Sequence, residues 1–517
     1  MRIMKRNIYI WFWACLACFV TSCIEDESTY GVDTLRITIN GIEDSYDKVS
    51  FADEVLTISP VVTSSFDTSD LTYKWTFYDP NKVVGTSVYR AEMITETKDL
   101  SLPVNMADGS YVFAFTVSSK STGYSQTVET NVHIASALSK GFVFFKENGE
   151  GNSDYDMLNI DNQKMLTDVL ISNTGAAIPG KPRCLDVIYC LPYMDTQNDT
   201  KASANSICIT TENNEVRWLR AMDCLTLKDA SDCRYEQAVG EIPYRSFHGY
   251  FDIYYLTNNG VCKVYDGSAS SSVGYFGANM GGCSSTHATH TLANRYNILY
   301  WNGRTHSIQC IGPNNVERNF TNTAKAQLTN LNYDCLKIGI CKADGTIGFY
   351  LLQNNNDGSR VMYMVNQVAA APELARVVTI DANSHMAKAN LFAVNGQQST
   401  IAYCVDNNKV YTYDLKQNNP EKLLTFNGLP DNETITYISN RFYNDPSAAE
   451  TFDYLIVGTQ VGTTYKVYFY NMIGGEPSGN PVHVVTGSGV LKSVNYIGVS
   501  GTQRYATNSL LSVVLDE

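Results

Sequence analysis

The sequence predicts an all-β protein: an antiparallel sandwich over residues 34–136, then a β-propeller over residues 137–517 with seven blades by the count of its repeats. Two observations predict this. Short runs of alternating apolar and polar residues, separated by turn formers, fill the first region, and one hairpin pattern recurs along the second. A third observation bounds the function. Lys+Arg 38 against Asp+Glu 52 gives a net charge of −14, and so acidic a chain repels phosphate backbones. Nucleic acid is excluded as an expected partner.

Residues 1–22 read as a secretory signal. Arg2, Lys5 and Arg6 precede the apolar run "IYIWFWACLACFV", which is shorter than the roughly 20 apolar residues a spanning helix needs. Val20-Thr21-Ser22-Cys23 then matches a bacterial lipobox, making Cys23 the expected site of lipid attachment. Residues 23–33 form an acidic tether. Glu25, Asp26 and Glu27 cannot be core, because three adjacent carboxylates would each need a buried partner. The run resembles the export signal of surface lipoproteins in Gram-negative gut anaerobes, which implies an outer-membrane protein facing the cell exterior. "DTL" at Asp33 to Leu35 resembles an O-glycosylation sequon of the same bacterial group.

The sandwich is read from "LRITIN", "VLTISPVV", "LTYKWTFY", "LSLPV", "SYVFAFTVSS" and "QTVETNVHIA". Tyr111, Phe113, Phe115 and Val117 fall on one face by period 2, and Trp75 occupies a central-strand position suited to burial. Tyr111 follows an Asp-Gly turn in the manner of a tyrosine corner. Together Tyr73, Trp75, Gly109 and Tyr111 resemble the "Y-x-W" and "G-x-Y" landmarks of the polycystic-kidney-disease-like (PKD-like) immunoglobulin fold. The resemblance implies a spacer or binding module.

The recurring unit begins at Gly141, Ser206, Asp252, Asn297, Thr346, Thr400 and Asp453. Each copy has an apolar strand, a turn usually containing Asn or Gly, and a second strand rich in Val, Tyr or Met, as in "TIAYCVDNNKVYTYDL". After one long first interval the spacing suits a four-stranded blade. That interval holds either a divergent blade or a loop, so six or eight blades stay open. Order of lipobox, acidic tether, sandwich and propeller resembles the PKD-like family of surface lipoproteins. This implies association with starch-utilisation-type uptake systems, in which a TonB-dependent transporter works with a lid lipoprotein.

Of 14 cysteines, Cys15 and Cys18 leave with the signal and Cys23 is acylated, so an odd number remains and internal pairing cannot be complete. Cys208, Cys341 and Cys404 lie in apolar strand patterns, where a thiol acts as a small hydrophobe. Disulfides are not the expected scaffold.

Chemistry is thinly signalled. In "CSSTHATH", Cys283, His287 and His290 could ligate a metal, but on a strand the two histidines point to opposite faces. Asn148 to Asp156 and Asn354 to Gly358 carry calcium-type oxygens that hairpin turns equally require. No metal and no cofactor is expected. Neither a phosphate-cradling Gly-Lys loop nor a "GxSxG" elbow occurs, and Asp186 and Glu241 are the acids named for paired carboxylates at a propeller axis. Candidate ligand-stacking aromatics are Trp301 before an Asn-Gly turn, Trp218, and Tyr275-Phe276.

The expected function is non-enzymatic: a lipid-anchored surface protein that binds an oligosaccharide or peptide for an adjacent TonB-dependent transporter and its lid. Two alternatives stand beside it. One is a propeller hydrolase or lyase acting on polysaccharide, which needs clustered axial carboxylates; the other is an interaction scaffold of the transporter complex, which needs a broad apolar patch.

Overall fold

Strands form where β-branched and aromatic residues recur at period 2, and they end at Asn, Asp and Gly positions that adopt positive φ, such as Asn214, Asn407 and Asn408. The computed structural model describes residues 36–498 apart from 52, 81–90, 197–198, 236–238, 250–251, 265–272, 283–284, 292–297, 313, 323, 325, 342, 344–346, 367–370, 395–398, 417–420 and 446–449. Cys23, the acidic run and Asp33 to Leu35 lie outside the described residues. The chain divides into two compact units, residues 1–135 and 136–517.

In the first unit a five-stranded sheet runs in the order Ser45–Ser50, Ser125–Ser136, Gly109–Ser119, Leu71–Tyr78 and Glu92–Thr95. Two strand pairs accompany it: Ile37–Asn40 with Val61–Ser64, and Val55–Ile58 with Leu100–Pro103. Trp75, Phe113, Phe115, Val117 and Val132 are fully buried in one core with Tyr111 at its margin. The Trp75 indole Nε1 donates to the Lys98 carbonyl at 3.1 Å, and the Tyr111 hydroxyl donates to the Ala107 carbonyl, four residues back, at 2.9 Å. The second bond is a tyrosine corner: it satisfies a half-buried hydroxyl while pinning the turn that feeds the strand.

In the second unit seven antiparallel sheets follow one another among the described residues. The first contains Gly141–Glu147, Ser153–Asn159 and Lys164–Leu166, and its inner edge is the C-terminal strand Val490–Ile497, paired with Gly141–Glu147. The second runs Pro182–Asp195, Thr200–Thr211, Val216–Arg220, Thr226–Asp229. The third has Pro243–His248, Ile253–Thr257 and Gly260–Lys263; the fourth starts at Ala288–His290, the fifth at Tyr333–Cys341, the sixth at Leu391–Val394 and the seventh at Thr434–Asp445.

Consecutive sheets share an apolar layer. Trp218 of the second sheet meets Tyr255 of the third, Trp301 of the fourth meets Tyr350 of the fifth, and Phe142 of the first meets Phe469 of the seventh. The last layer closes the circle. Closure by Val490–Ile497 gives each of the seven described sheets a neighbour on both faces, which is the propeller solution to the open-edge problem. The leading strands pack on one another around the axis, as Val490–Ile497 does on Pro182–Asp195 and Leu391–Val394 on Thr434–Asp445.

The long first interval holds a helix, Val169–Thr174, followed by the 14-residue strand Pro182–Asp195. Asp154 accepts the N–H groups of Leu170 and Ile171 at the helix start, at 2.9 and 3.4 Å. Fully buried Lys146 reaches Asp156 at 2.6 Å and Asp168 at 2.8 Å, and Asp156 also accepts the Tyr465 hydroxyl of the seventh sheet at 2.5 Å. The carboxylates of this acidic stretch thus clamp a helix and a blade interface. Asn148 Oδ1 accepts from Glu150 and Asn152, and Asn354 Oδ1 from Asn356, so both Asn-rich segments spend these oxygens on turns.

Candidate functional site

The axis is where a propeller hydrolase would gather its acids. Asp186, on the leading strand of the second sheet, accepts Arg245 of the third through Nε at 3.1 and 3.0 Å and Nη2 at 2.7 Å. Arg245 Nη1 continues to the Ala288 carbonyl of the fourth sheet at 2.8 Å. On the other side, Asn495 of the first sheet donates to the Leu185 carbonyl at 3.2 Å and accepts from Arg441 of the seventh at 3.3 Å. These bonds form a polar belt that staples the leading strands of five successive blades. Glu241 accepts from Arg234 Nη2 at 2.6 Å and Thr257 Oγ1 at 3.0 Å. Each named acid is therefore closed by its own arginine.

His287 precedes and His290 ends the strand Ala288–His290, and they face different neighbours. His287 accepts or donates at Nδ1 with Ser285 Oγ, 2.9 Å away, and lies beside Lys337. His290 lies beside Arg245 and His248. Burial, followed by the neighbouring cations, pushes His287 down to about 4; burial, Arg245 and His248 push His290 down to about 3. Cys283 lies outside the described residues, and among those described no group of three or more His, Cys, Asp or Glu side chains could hold a metal ion.

Three of the four aromatics expected to stack on ligand are corrected by the structure. Trp218 is 0% exposed, Phe276 1% and Trp301 3%. Trp218 and Phe276 pack with Tyr255 between the second and third sheets, while Trp301 fills the layer between the fourth and fifth. A face covered on both sides by neighbouring blades cannot receive a sugar ring. The Asn-Gly turn after Trp301 instead engages Asn302, whose Oδ1 accepts the Arg304 N–H at 3.1 Å.

Tyr275 is different. It sits on a short segment held between two blades: the Phe276 N–H donates to the Cys233 carbonyl at 2.8 Å, and the Gly277 N–H to the Lys263 carbonyl at 2.9 Å. Gly274 makes this possible. Its φ is +76°, and a Cβ there would stand 1.9 Å from the Pro192 carbonyl oxygen, so only glycine passes. The turn leaves Tyr275 half-buried, and its ring meets that of Tyr235 at 4.9 Å between centroids and an interplanar angle of 58°. Tyr235 is 63% exposed.

Beneath this pair lies Lys228, from the outer strand Thr226–Asp229 of the second sheet. It is 4% exposed, and its ammonium stands 4.6 Å from the centroid of the Tyr275 ring. Burial lowers its pKa, opposed by Asp232 and Cys233. Among the described residues no carboxylate within 4.0 Å and no hydrogen-bond acceptor engages Nζ. Tyr235 and Lys228 had no sequence signal: "TLKDASDCRYE" reads as a polar connection, and only the return of residues 273–277 brings Tyr275 back over it.

Among curated proteins none matches the chain. Among solved structures it is similar to a quinonprotein alcohol dehydrogenase-like protein from Bacteroides thetaiotaomicron, at 12% identity and a TM-score of 0.41, covering 90% of this chain and 99% of that one. It is also similar to a protein from Lactobacillus plantarum, at 11% identity and a TM-score of 0.37 over 69% of this chain and 100% of that one. A third is BamB from Moraxella catarrhalis, at 9% identity and a TM-score of 0.24 over 61% and 85%. Residues 23–182 match the PKD-like family, a span that begins at Cys23 and runs through the sandwich and the first blade.

Proposed function

We propose that this protein is a non-enzymatic saccharide-binding lipoprotein, anchored through Cys23 to the outer membrane and facing outward, that serves a TonB-dependent uptake system. The observation that carries the reading is the Tyr235–Tyr275 pair. Tyr235, which is exposed, and half-buried Tyr275, inclined to it at 58° and braced by the blade behind, form an apolar corner on which a pyranose ring stacks. Pairing of Asp186 with Arg245 and of Glu241 with Arg234 supports binding over hydrolysis, because neither acid is placed to deliver a proton. The lipobox and acidic tether support the location.

The test is calorimetric titration of the purified full chain in detergent against a panel of polysaccharides and peptides, with each mixture analysed for cleavage products. Saturable saccharide binding that is lost in Tyr275→Ala and leaves the polymer intact is expected. New reducing ends in the mixture would make the protein a hydrolase or lyase instead. Binding of peptides alone would replace the saccharide.

A further inference from the structure

We infer that the Tyr235–Tyr275 corner is built for an acidic saccharide, with the carboxylate of a hexuronate unit seated on the Lys228 ammonium while its ring lies on the tyrosines; this rests on the saccharide-binding reading above. The argument starts from the free protein. A buried ammonium is held by hydrogen bonds to anions or carbonyls, because desolvation without them is expensive. Lys146, the other deeply buried lysine of the propeller, obeys this with Asp156 and Asp168. Lys228 does not. Its ammonium faces the π ring of Tyr275 at 4.6 Å, which offsets part of the lost hydration and supplies no acceptor, and Nζ keeps an edge toward solvent.

The nearest acid is already committed. Asp232 is exposed and accepts the Asp229 N–H at 2.8 Å, closing its own turn. Nor is the lysine there by default, since the neighbouring Trp218 and Phe276 show that this interface accepts large apolar side chains. A cation that no described carboxylate pairs, beneath one exposed and one half-buried tyrosine ring, has two parts that a charged sugar needs: a stacking surface and a counter-charge. A neutral glycan would use the tyrosines and leave the ammonium unsatisfied. A hexuronate carboxylate, whose carbon is bonded directly to the pyranose ring, completes its coordination.

The probes are trigalacturonate, its methyl ester and maltotriose, titrated into the full chain in detergent. In the wild type the acid is expected to bind about tenfold or more tighter than its ester, the worth of one hydrogen bond to a charged group. The preference should shrink with added salt, disappear in Lys228→Met and return in part in Lys228→Arg. Equal affinity of acid and ester in the wild type would overturn the inference without any variant having to fold. If neutral saccharides then still bind in a Tyr275-dependent manner, saccharide capture stands and only the acidic class is wrong. If no saccharide binds, both fail.

Discussion

Arg245 and Lys228 are both almost wholly buried in the propeller, at 3% and 4% exposure, yet they are treated in opposite ways. Arg245 has Asp186 on two nitrogens and the Ala288 carbonyl on a third, so its charge is matched and its donors point at fixed acceptors across three blades. Lys228 has a tyrosine ring. Burial alone assigns a role to neither. The partners do: a buried cation matched by carboxylate and carbonyl belongs to the scaffold, and one without a paired anion beside an exposed tyrosine suits a ligand.

The largest expected effect breaks the first half of that contrast. Asp186→Ala strands Arg245 without a counter-charge and should lower stability by ~3–5 kcal/mol in urea unfolding. An effect under about 1 kcal/mol would mean the belt is not structural. Trp218→Ala should cost a similar ~3–5 kcal/mol, whereas Tyr275→Ala should leave the unfolding midpoint nearly unchanged. Equal losses for the two would erase the distinction between core and corner.

Tyr275→Ala should instead weaken saccharide binding by about tenfold or more, in line with one lost aromatic contact, read by calorimetry. A separate response is to acid. His287 and His290 have folded-state values of about 4 and about 3, below the free value of 6.5. The unfolded chain therefore binds more protons below that value. Their contribution is fully present above about pH 7 and is lost as pH falls from 6.5 through the two folded-state values. His290→Gln should flatten that slope, and an unchanged slope would show that His290 does not drive it.

What the sequence made legible follows from burial. Six of the seven recurring hairpins coincide with the two middle strands of a sheet, for example Ile298–Asn302 with Ser307–Ile311 and Ile401–Asp406 with Lys409–Asp414, and the seventh pairs the middle strand Ile253–Thr257 with Gly260–Lys263. Those strands are covered on both faces, so they carry dense apolar runs. Leading and outer strands are short or half-wet: Ala288–His290 has three residues and Lys422–Leu423 two, and neither leaves a periodic trace. Trp75 and Tyr111 were readable because a central strand and a turn dictate their place locally.

The site was readable only in part. Tyr275 stood out as an aromatic beside glycines, but burial of Trp218, Phe276 and Trp301 depends on which blade lies opposite, and no local pattern encodes that. Lys228 and Tyr235 belong to the site only because a glycine with positive φ lets residues 273–277 dock against another blade. The long interval after Gly141 concealed a helix capped from a distance by Asp154, a contact between sequence-remote groups.

The most direct test of the contrast is the unfolding stability of Lys228→Met without ligand. Removing an unpaired buried ammonium in favour of an apolar side chain of similar length should raise stability by ~1–2 kcal/mol, as replacement of buried charge by well-packed apolar groups often does. That gain would mark Lys228 as a residue kept for binding at the expense of the fold. A loss of stability in the variant would place Lys228 beside Arg245 in the scaffold and contradict the assignment of the corner as a site.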